Sequence, residues 1–349
     1  MKGEGNLIDV IRPEPGSVVL ICDMHASESG ALAILTDLYH QICAYKDKSV
    51  TWVMVVSTPK FQPQGNIIVG RYPWVKRNWG FRYYFDTVNI RRILTKYRPD
   101  QVISLQNKGI PFRKGRQTVY LHQALFLTDH RMDIRRDGKR LWFYQNMMSK
   151  AVFHSLRKAD VIVVQTRWMK EALIKKAAIR PERIVVQHPD ITCNCIGQYK
   201  ATPENRRRFF YPAIGVSYKN HMTLLKAMKY AQDMGLRDYE LILTVSPMEN
   251  AYTQMLFAYA KEQGLNVCFG GQLPRERVFK MYTRSTLVFP SYVESFGMPL
   301  LEARLSGAPV IASDTSFCRE VLSGYEKADF FRELDHVALG EWILKSVKN

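Results

Sequence analysis

Two glutamates, Glu294 and Glu302, stand eight residues apart in the stretch FPSYVESFGMPLLEARLSGAPVIAS, residues 289–313. The apolar run that ends at Phe289 reads as a strand. A turn containing Gly297 and Pro299 follows, and a helix begins near Met298. Such a strand-to-helix turn falls at the carboxyl edge of a parallel sheet, where open α/β folds bind ligands. The backbone N–H groups of Phe296, Gly297 and Met298 would point outward from the helix start, a ready site for a phosphate. Gly297 permits close backbone approach, and Pro299 suits a first helical turn. Glu302, inside the helix, could accept two hydrogen bonds from a vicinal diol such as a ribose. Taken as an arbitrary pair, two such acids are more often solvated surface groups.

The elements that must position these residues are legible as alternating periods. Ser17–Cys22 reads as a buried strand, Gly30–Tyr45 as a helix and Val50–Ser57 as a strand. Residues 58–80, with Pro59, Pro63, Gly65, Pro73 and Gly80, read as loop. Phe81–Tyr97 reads as a helix that stops before Arg98-Pro99. Gln101–Leu105 and Thr118–His122 read as strands, Lys139–Lys158 as a long helix, Val161–Gln165 as a strand, Arg167–Ala177 as a helix and Arg183–Gln187 as a closing strand.

The alternation then restarts. Strands are expected at Phe209–Tyr211, Glu240–Val245, Asn266–Phe269, Thr286–Phe289 and Pro309–Ala312. Helices are expected at His221–Met234, Ala251–Gln263, Arg275–Thr283, Met298–Ser306, Cys318–Leu322 and 335–346. Strands separated by helices argue for parallel, doubly wound sheets. The polar stretch Asp190–Arg208 lacks apolar periodicity and reads as a linker, which gives domains at 1–195 and 205–349.

With these elements in order, the segment from Glu294 to Glu302, its FGMPLLEA core and the trailing GAPVIASD resemble the signature of the GT-B glycosyltransferases, family 4 of the retaining enzymes. Tyr211-Pro212-Ala213 with Lys219-Asn220-His221 and Leu224–Ala227 is similar to the start of that family's donor domain. Gly271-Gln272-Leu273, Met281-Tyr282 and Val288–Ser291 are similar to its middle. Ser29-Gly30-Ala31, Tyr120–Gln123 and Asp160–Thr166 match in order in the first half.

The resemblance implies two Rossmann-like domains facing a central cleft, the first for the acceptor and the second for a nucleotide-sugar donor. It implies that Glu302 holds the ribose, Glu294 touches hydroxyls of the transferred sugar, and Lys219 neutralises the departing diphosphate with help from the amides of Phe296–Met298. It also implies that His122 faces the reacting sugar, Gly30 keeps its loop near the diphosphate, and Leu273 frames the base. Retention of configuration rests on the resemblance alone, through a same-face substitution in which Glu294 is not a nucleophile.

A lysine with a helix N-terminus can stabilise the leaving charge without a metal, and the sequence contains no D-x-D, so no metal or cofactor is expected. The stretch Tyr211–Tyr218 contains no Arg where many members of that family carry one, so Lys219 acts with backbone donors alone or with an Arg from elsewhere. Asp23 and Glu28 could touch an acceptor. Glu320 either supports the donor site or caps its helix. His25, His130, His154, His188, His221 and His336 lack metal-ligand spacing and read as structural.

Composition places the chain in a class. Its 349 residues are 46% hydrophobic and 23% charged, enough for two cores and too apolar for a disordered chain. No apolar run approaches the roughly 20 residues that span a bilayer, and residues 1–11 do not read as a secretory signal. The six cysteines, including the Cys193-x-Cys195 pair, read as reduced thiols of a cytoplasmic protein.

The net charge of +18 is unevenly placed: residues 1–200 carry +16, and residues 51–150 alone carry +14, from 19 basic and 5 acidic residues. In Arg71–Arg92 cations alternate with Trp74, Trp79, Phe81, Tyr83, Tyr84 and Phe85, and further clusters lie at Arg113–Arg116 and Arg131–Arg140. Cations with interfacial aromatics suit an anionic membrane surface or a diphosphate-bearing lipid; the plainer reading is a solvated basic face around core aromatics. The expectation is a glycosyltransferase at the inner face of the cytoplasmic membrane, acting on a lipid-linked glycan in surface-polysaccharide synthesis. The alternatives are a soluble metabolite or protein acceptor and, more remotely, a nucleic-acid-binding protein on the same scaffold. No nucleic-acid module is recognisable, and no nucleic-acid partner is expected.

Overall fold

In the computed structural model, residues 6–26, 29–112, 114–189 and 197–348 are described. The chain divides into two compact units, residues 1–127 with 143–190, and residues 128–142 with 191–349.

The first unit holds a seven-stranded, all-parallel sheet in the order β3-β2-β1-β4-β5-β6-β7. Its strands are β1 (Val18–Asp23), β2 (Thr51–Val56), β3 (Ile67–Arg71), β4 (Gln101–Ser104), β5 (Arg116–Leu121), β6 (Val161–Val164) and β7 (Ile184–Val186). Successive side chains alternate between faces, and both faces are covered. Val19, Ile21, Trp52, Met54 and Val56 pack with Leu35, Leu38 and Ile42 of the helix Ser29–Ala44. Leu20, Cys22, Val53 and Val55 pack on the other side with Val75, Phe85, Ile90 and Ile93.

The second unit holds a six-stranded parallel sheet in the order β10-β9-β8-β11-β12-β13. Here the strands are β8 (Arg208–Tyr211), β9 (Glu240–Leu243), β10 (Val267–Phe269), β11 (Thr286–Phe289), β12 (Val310–Ser313) and β13 (Ala328–Phe331). The strand order reverses between β8 and β11, the kind of position at whose carboxyl edge open α/β sheets bind ligands. On the outside, the helix His336–Lys348 lies against the helix His221–Asp233. Gly340 makes this close approach possible: a Cβ there would stand 2.5 Å from Tyr230 Cδ1 and 3.0 Å from the Ala227 carbonyl.

Several elements differ from the sequence reading. The stretch read as loop contains β3, an edge strand, and a short 3-10 turn, Pro73–Lys76. Only five residues long and set between Gly65 and Pro73, β3 has too little alternation to stand out. β13 was missed for a similar reason, being four residues with Asp329 inside an apolar run. The helix expected at Phe81 begins at Trp79, where Asn78 Oδ1 accepts from the Phe81 N–H at 3.0 Å, and a π turn at Phe85–Asn89 interrupts it.

The long helix expected at Lys139–Lys158 is three pieces: Ile134–Phe143, the π turn Tyr144–Met148 and Ser149–Leu156. Gly138, at φ 84°, breaks the first piece. Residues 128–142, assigned by sequence to the first domain, pack within the second unit. The expected linker contains the helical turn Pro203–Arg206, capped by Thr202; Cys193, Cys195, Glu28 and Arg113 lie outside the described residues.

Candidate active site

The two turns that leave β8 and β11 are sewn together. The adjacent strands pair Thr286 with Phe209 and Leu287 with Phe210. After β8 comes a 3-10 turn, Ser217–Lys219, closed by Asn220 in the left-handed region at φ 59°, a conformation asparagine tolerates better than most residues. Asn220 Nδ2 donates to the Pro290 carbonyl at 3.1 Å, and the Tyr292 N–H donates to the Tyr218 carbonyl at 3.1 Å. From beneath, the buried Tyr211 hydroxyl donates to the Lys219 carbonyl at 2.8 Å. These bonds fix the backbone under Lys219 and Glu294, whose side chains form an ion pair through Nζ and Oε1. Ser291 Oγ stands 3.1 Å from the same carboxylate oxygen. Both charged side chains retain partial exposure, about 15% each.

Three residues beyond Glu294, Gly297 adopts φ 84° and starts the helix Met298–Leu305 with Pro299 in its first turn. A side chain at Gly297 would be strained, and its Cβ would meet Leu300 Cδ1 at 3.0 Å. Phe296 is buried and anchors the turn, while Met298 is partly exposed. On the inner face of that helix Glu302 is buried. Its Oε2 accepts from the Tyr282 hydroxyl at 2.9 Å, and its Oε1 lies 3.3 Å from Arg275 Nη2. Burial raises the pKa of Glu302, against the Tyr282 hydrogen bond and the Arg275 charge, which lower it. Leu273 sits half-buried in the turn leading to Arg275–Tyr282. Glu320 lies half-buried on the helix Ser316–Val321.

The loop bearing Glu294 is also braced from behind. The Tyr292 hydroxyl donates to Asp137 Oδ1 at 2.7 Å, and Arg136 Nη2 pairs with Asp137 Oδ2 at 2.8 Å. His130 stacks on Tyr292 with ring centroids 4.0 Å apart and pairs through Nδ1 with Glu333 Oε2 at 3.0 Å. Thus the segment 128–142 braces the turn that bears Glu294 from within the same unit. Its residues lie far from 292 in sequence, and no local pattern marks them.

In the first unit, His122 follows β5, and its neighbour is a residue the sequence reading did not single out. Asn107 Oδ1 accepts from the His122 and Gln123 N–H groups at 2.8 and 2.9 Å, and its amide nitrogen lies 3.3 Å from His122 Nε2. Burial lowers the pKa of His122 to about 4. Gly30 lies in the first turn of the helix Ser29–Ala44. Asp23 Oδ1 accepts from the N–H groups of His25 and Ala26 at 2.8 and 2.9 Å, and burial nonetheless raises its pKa to about 6. Arg82 and Lys108 share Asp86 at 2.9 and 2.6 Å. The turn Gln106-Asn107-Lys108-Gly109 is the only local signal that could have pointed to Asn107.

The aromatics of the basic segment divide. Phe85 is fully buried and Trp74 packs against it, whereas Trp79 and Tyr83 are 71% and 72% exposed. Exposed cations flank them at Arg71, Lys76, Arg77, Arg91 and Arg92. Among the described residues, no helix is long and apolar enough to cross a membrane.

Comparison with known proteins agrees with this geometry. Residues 198–349 match the family Glycosyl transferases group 1, and residues 45–192 match Glycosyltransferase Family 4. The O-antigen chain mannosyltransferase RfbU of Salmonella typhimurium is 24% identical over 240 residues, covering 66% of this chain and 61% of that protein. The chain therefore spans less than two thirds of that relative's length. Among solved structures, WaaG, a glycosyltransferase involved in lipopolysaccharide biosynthesis, superposes with a TM-score of 0.68 at 14% identity, covering 95% of this chain and 90% of its own. HepE of Anabaena, solved in complex with UDP and glucose, gives a TM-score of 0.67 at 15% identity, with 95% and 90% coverage. With two parallel α/β units and family matches over residues 45–192 and 198–349, the chain belongs to the glycosyltransferases of the GT-B fold, of the family 4 type.

Proposed function

We propose that the protein transfers a sugar, with retention of configuration, from a nucleotide-sugar to a lipid-linked or other membrane-held glycan during surface-polysaccharide assembly. The observation that carries the proposal is the Lys219–Glu294 pair at the reversal of strand order, eight residues ahead of the buried Glu302 on the adjoining helix. In this reading the nucleotide lies along the helix start at Met298, with Glu302 and Arg275 toward the ribose and Leu273 toward the base. The diphosphate meets Lys219 and the amides of Phe296, Gly297 and Met298. As the bond to the sugar lengthens, charge builds on the departing oxygen, and a fixed cation with fixed N–H dipoles stabilises it, so the reaction needs no metal. Glu294 turns to the sugar hydroxyls.

The acceptor side rests on a second observation, the exposed Trp79 and Tyr83 among exposed cations. Aromatic rings seat at a bilayer interface, and each cation near an anionic surface adds about 1 kcal/mol. A protein of this kind acts from the cytoplasmic face of the membrane.

A thermal-shift screen with UDP-, GDP-, ADP- and dTDP-sugars tests the donor reading, because a bound ligand stabilises the folded state. One donor family is expected to raise the melting temperature, and no response to any would overturn the reading. Flotation with anionic vesicles tests the surface. Binding should weaken in Trp79→Ser/Tyr83→Ser. Full activity on a soluble acceptor with no vesicle binding would favour a soluble substrate instead.

A further inference from the structure

Asn107 stands in the left-handed region at φ 63° in the turn after β4, the strand beside β5. Its carboxamide is oriented without ambiguity. Oδ1 accepts from two backbone N–H groups, those of His122 and Gln123, so the other end of the amide, 3.3 Å from His122 Nε2, is the NH2 group. An amide nitrogen can only donate. Nε2 of His122 must therefore be bare, and the ring proton sits on Nδ1. That Nδ1 is buried and has no partner among the described residues. A buried donor without an acceptor is unfavourable, and such groups occur where a guest completes the bond.

We propose that Asn107 is a positioning residue that locks His122 as the neutral Nδ1–H tautomer, so that a substrate sugar hydroxyl reaching this ring meets a hydrogen-bond donor. The tautomer stands on the geometry alone; the identity of the guest as a sugar hydroxyl rests on the glycosyltransferase reading. It follows that His122 neither deprotonates the acceptor nor carries positive charge at neutral pH. Its burial, which lowers its pKa to about 4, works in the same direction.

Long-range nitrogen–proton spectra of the histidine-labelled, ligand-free full chain read the tautomer directly, with His122→Gln assigning the resonance. In the wild type, Nδ1 should be protonated and Nε2 bare at pH 7. Asn107→Asp is the informative variant: one carboxylate oxygen still accepts from the two backbone N–H groups, while the other replaces the donor facing Nε2 with an acceptor. The proton should then move to Nε2, the imidazole should titrate at a higher pH than in the wild type, and sugar transfer at neutral pH should fall at least about tenfold. A wild-type spectrum with Nε2 protonated would overturn the proposal, and so would an unchanged tautomer in Asn107→Asp. If that variant does not fold, the wild-type spectrum alone decides. Failure to detect transfer with any nucleotide-sugar would defeat the glycosyltransferase reading and leave the tautomer result standing.

Discussion

Lys219 and Glu294 neutralise each other across the two turns that flank the reversal of strand order. A diphosphate arriving at Lys219 competes with that carboxylate. Removing the charge of Glu294 should therefore make the cation more available, while removing Lys219 should do the opposite. For Lys219→Met, turnover is expected to fall by roughly 10²–10³, as for loss of one preorganised charge-stabilising group. For Glu294→Gln, transfer should fall while calorimetry shows tighter binding of the free nucleoside diphosphate. Weaker nucleotide binding in Glu294→Gln would contradict the competition.

Glu302 carries a structural duty beside the donor role proposed for it, because the buried Tyr282 hydroxyl bonds to it. Glu302→Ala leaves that hydroxyl unpaired and should cost about 1–3 kcal/mol of stability. Glu302→Gln keeps an acceptor for Tyr282 and should melt close to the wild type. Both variants should lose most of the stabilisation that the donor nucleotide gives. Melting curves with and without nucleotide separate the two effects.

Tyr292→Phe removes the phenol donor from Asp137, whose side chain is completely buried. Hydrogen bonds to charged groups contribute about 1.5–3 kcal/mol, so the denaturant midpoint should fall with little change in slope. Donor affinity should fall as well, since Tyr292 sits in the turn that holds Ser291 and Glu294. A stability loss with unchanged nucleotide affinity would show that this bracing does not reach the site.

Acid should unfold the protein partly through two buried histidines. Burial lowers His221 to about 3, with the nearby Lys219 charge adding to the effect, and lowers His122 to about 4. Both are neutral in the fold and take up a proton near pH 6.5 once unfolded. Their contribution is therefore fully present above pH 6.5 and is lost as pH falls toward 4 for His122 and 3 for His221. The loss amounts to roughly 1.4 kcal/mol per pH unit for each residue in its window. His221→Phe, which keeps a ring against Tyr211, should flatten the acid limb of a stability-against-pH curve.

Much of this was legible from local signals. The helices Arg167–Ala177 and Ala251–Glu262 follow their apolar spacing, and the glycine and proline around Met298 mark the turn that opens the helix Met298–Leu305. What was not legible depends on contacts between distant residues. The Lys219–Glu294 pair joins side chains 75 positions apart, and the Asp137–Tyr292 bond spans 155. The edge strands β3 and β13 were lost because short, half-covered strands carry little periodicity. Residues 128–142 were placed in the wrong unit because chain order was the only guide to where they pack. Asn107 escapes notice because the turn Gln106-Asn107-Lys108-Gly109 reads as an ordinary one until the histidine it orients is in view.

That misplacement bears on modularity. A cut in the linker near residue 197 separates the halves in sequence but strands residues 128–142 on the wrong fragment. A C-terminal half made alone would lose the Asp137 partner of Tyr292 and the His130 partner of Glu333. A chimera that exchanges the second unit between two such enzymes must carry both pieces, the long one and this fifteen-residue insert. The second unit is thus discontinuous in sequence, so exchanging it whole by recombination needs two crossovers inside the first half of the gene as well as one at the linker.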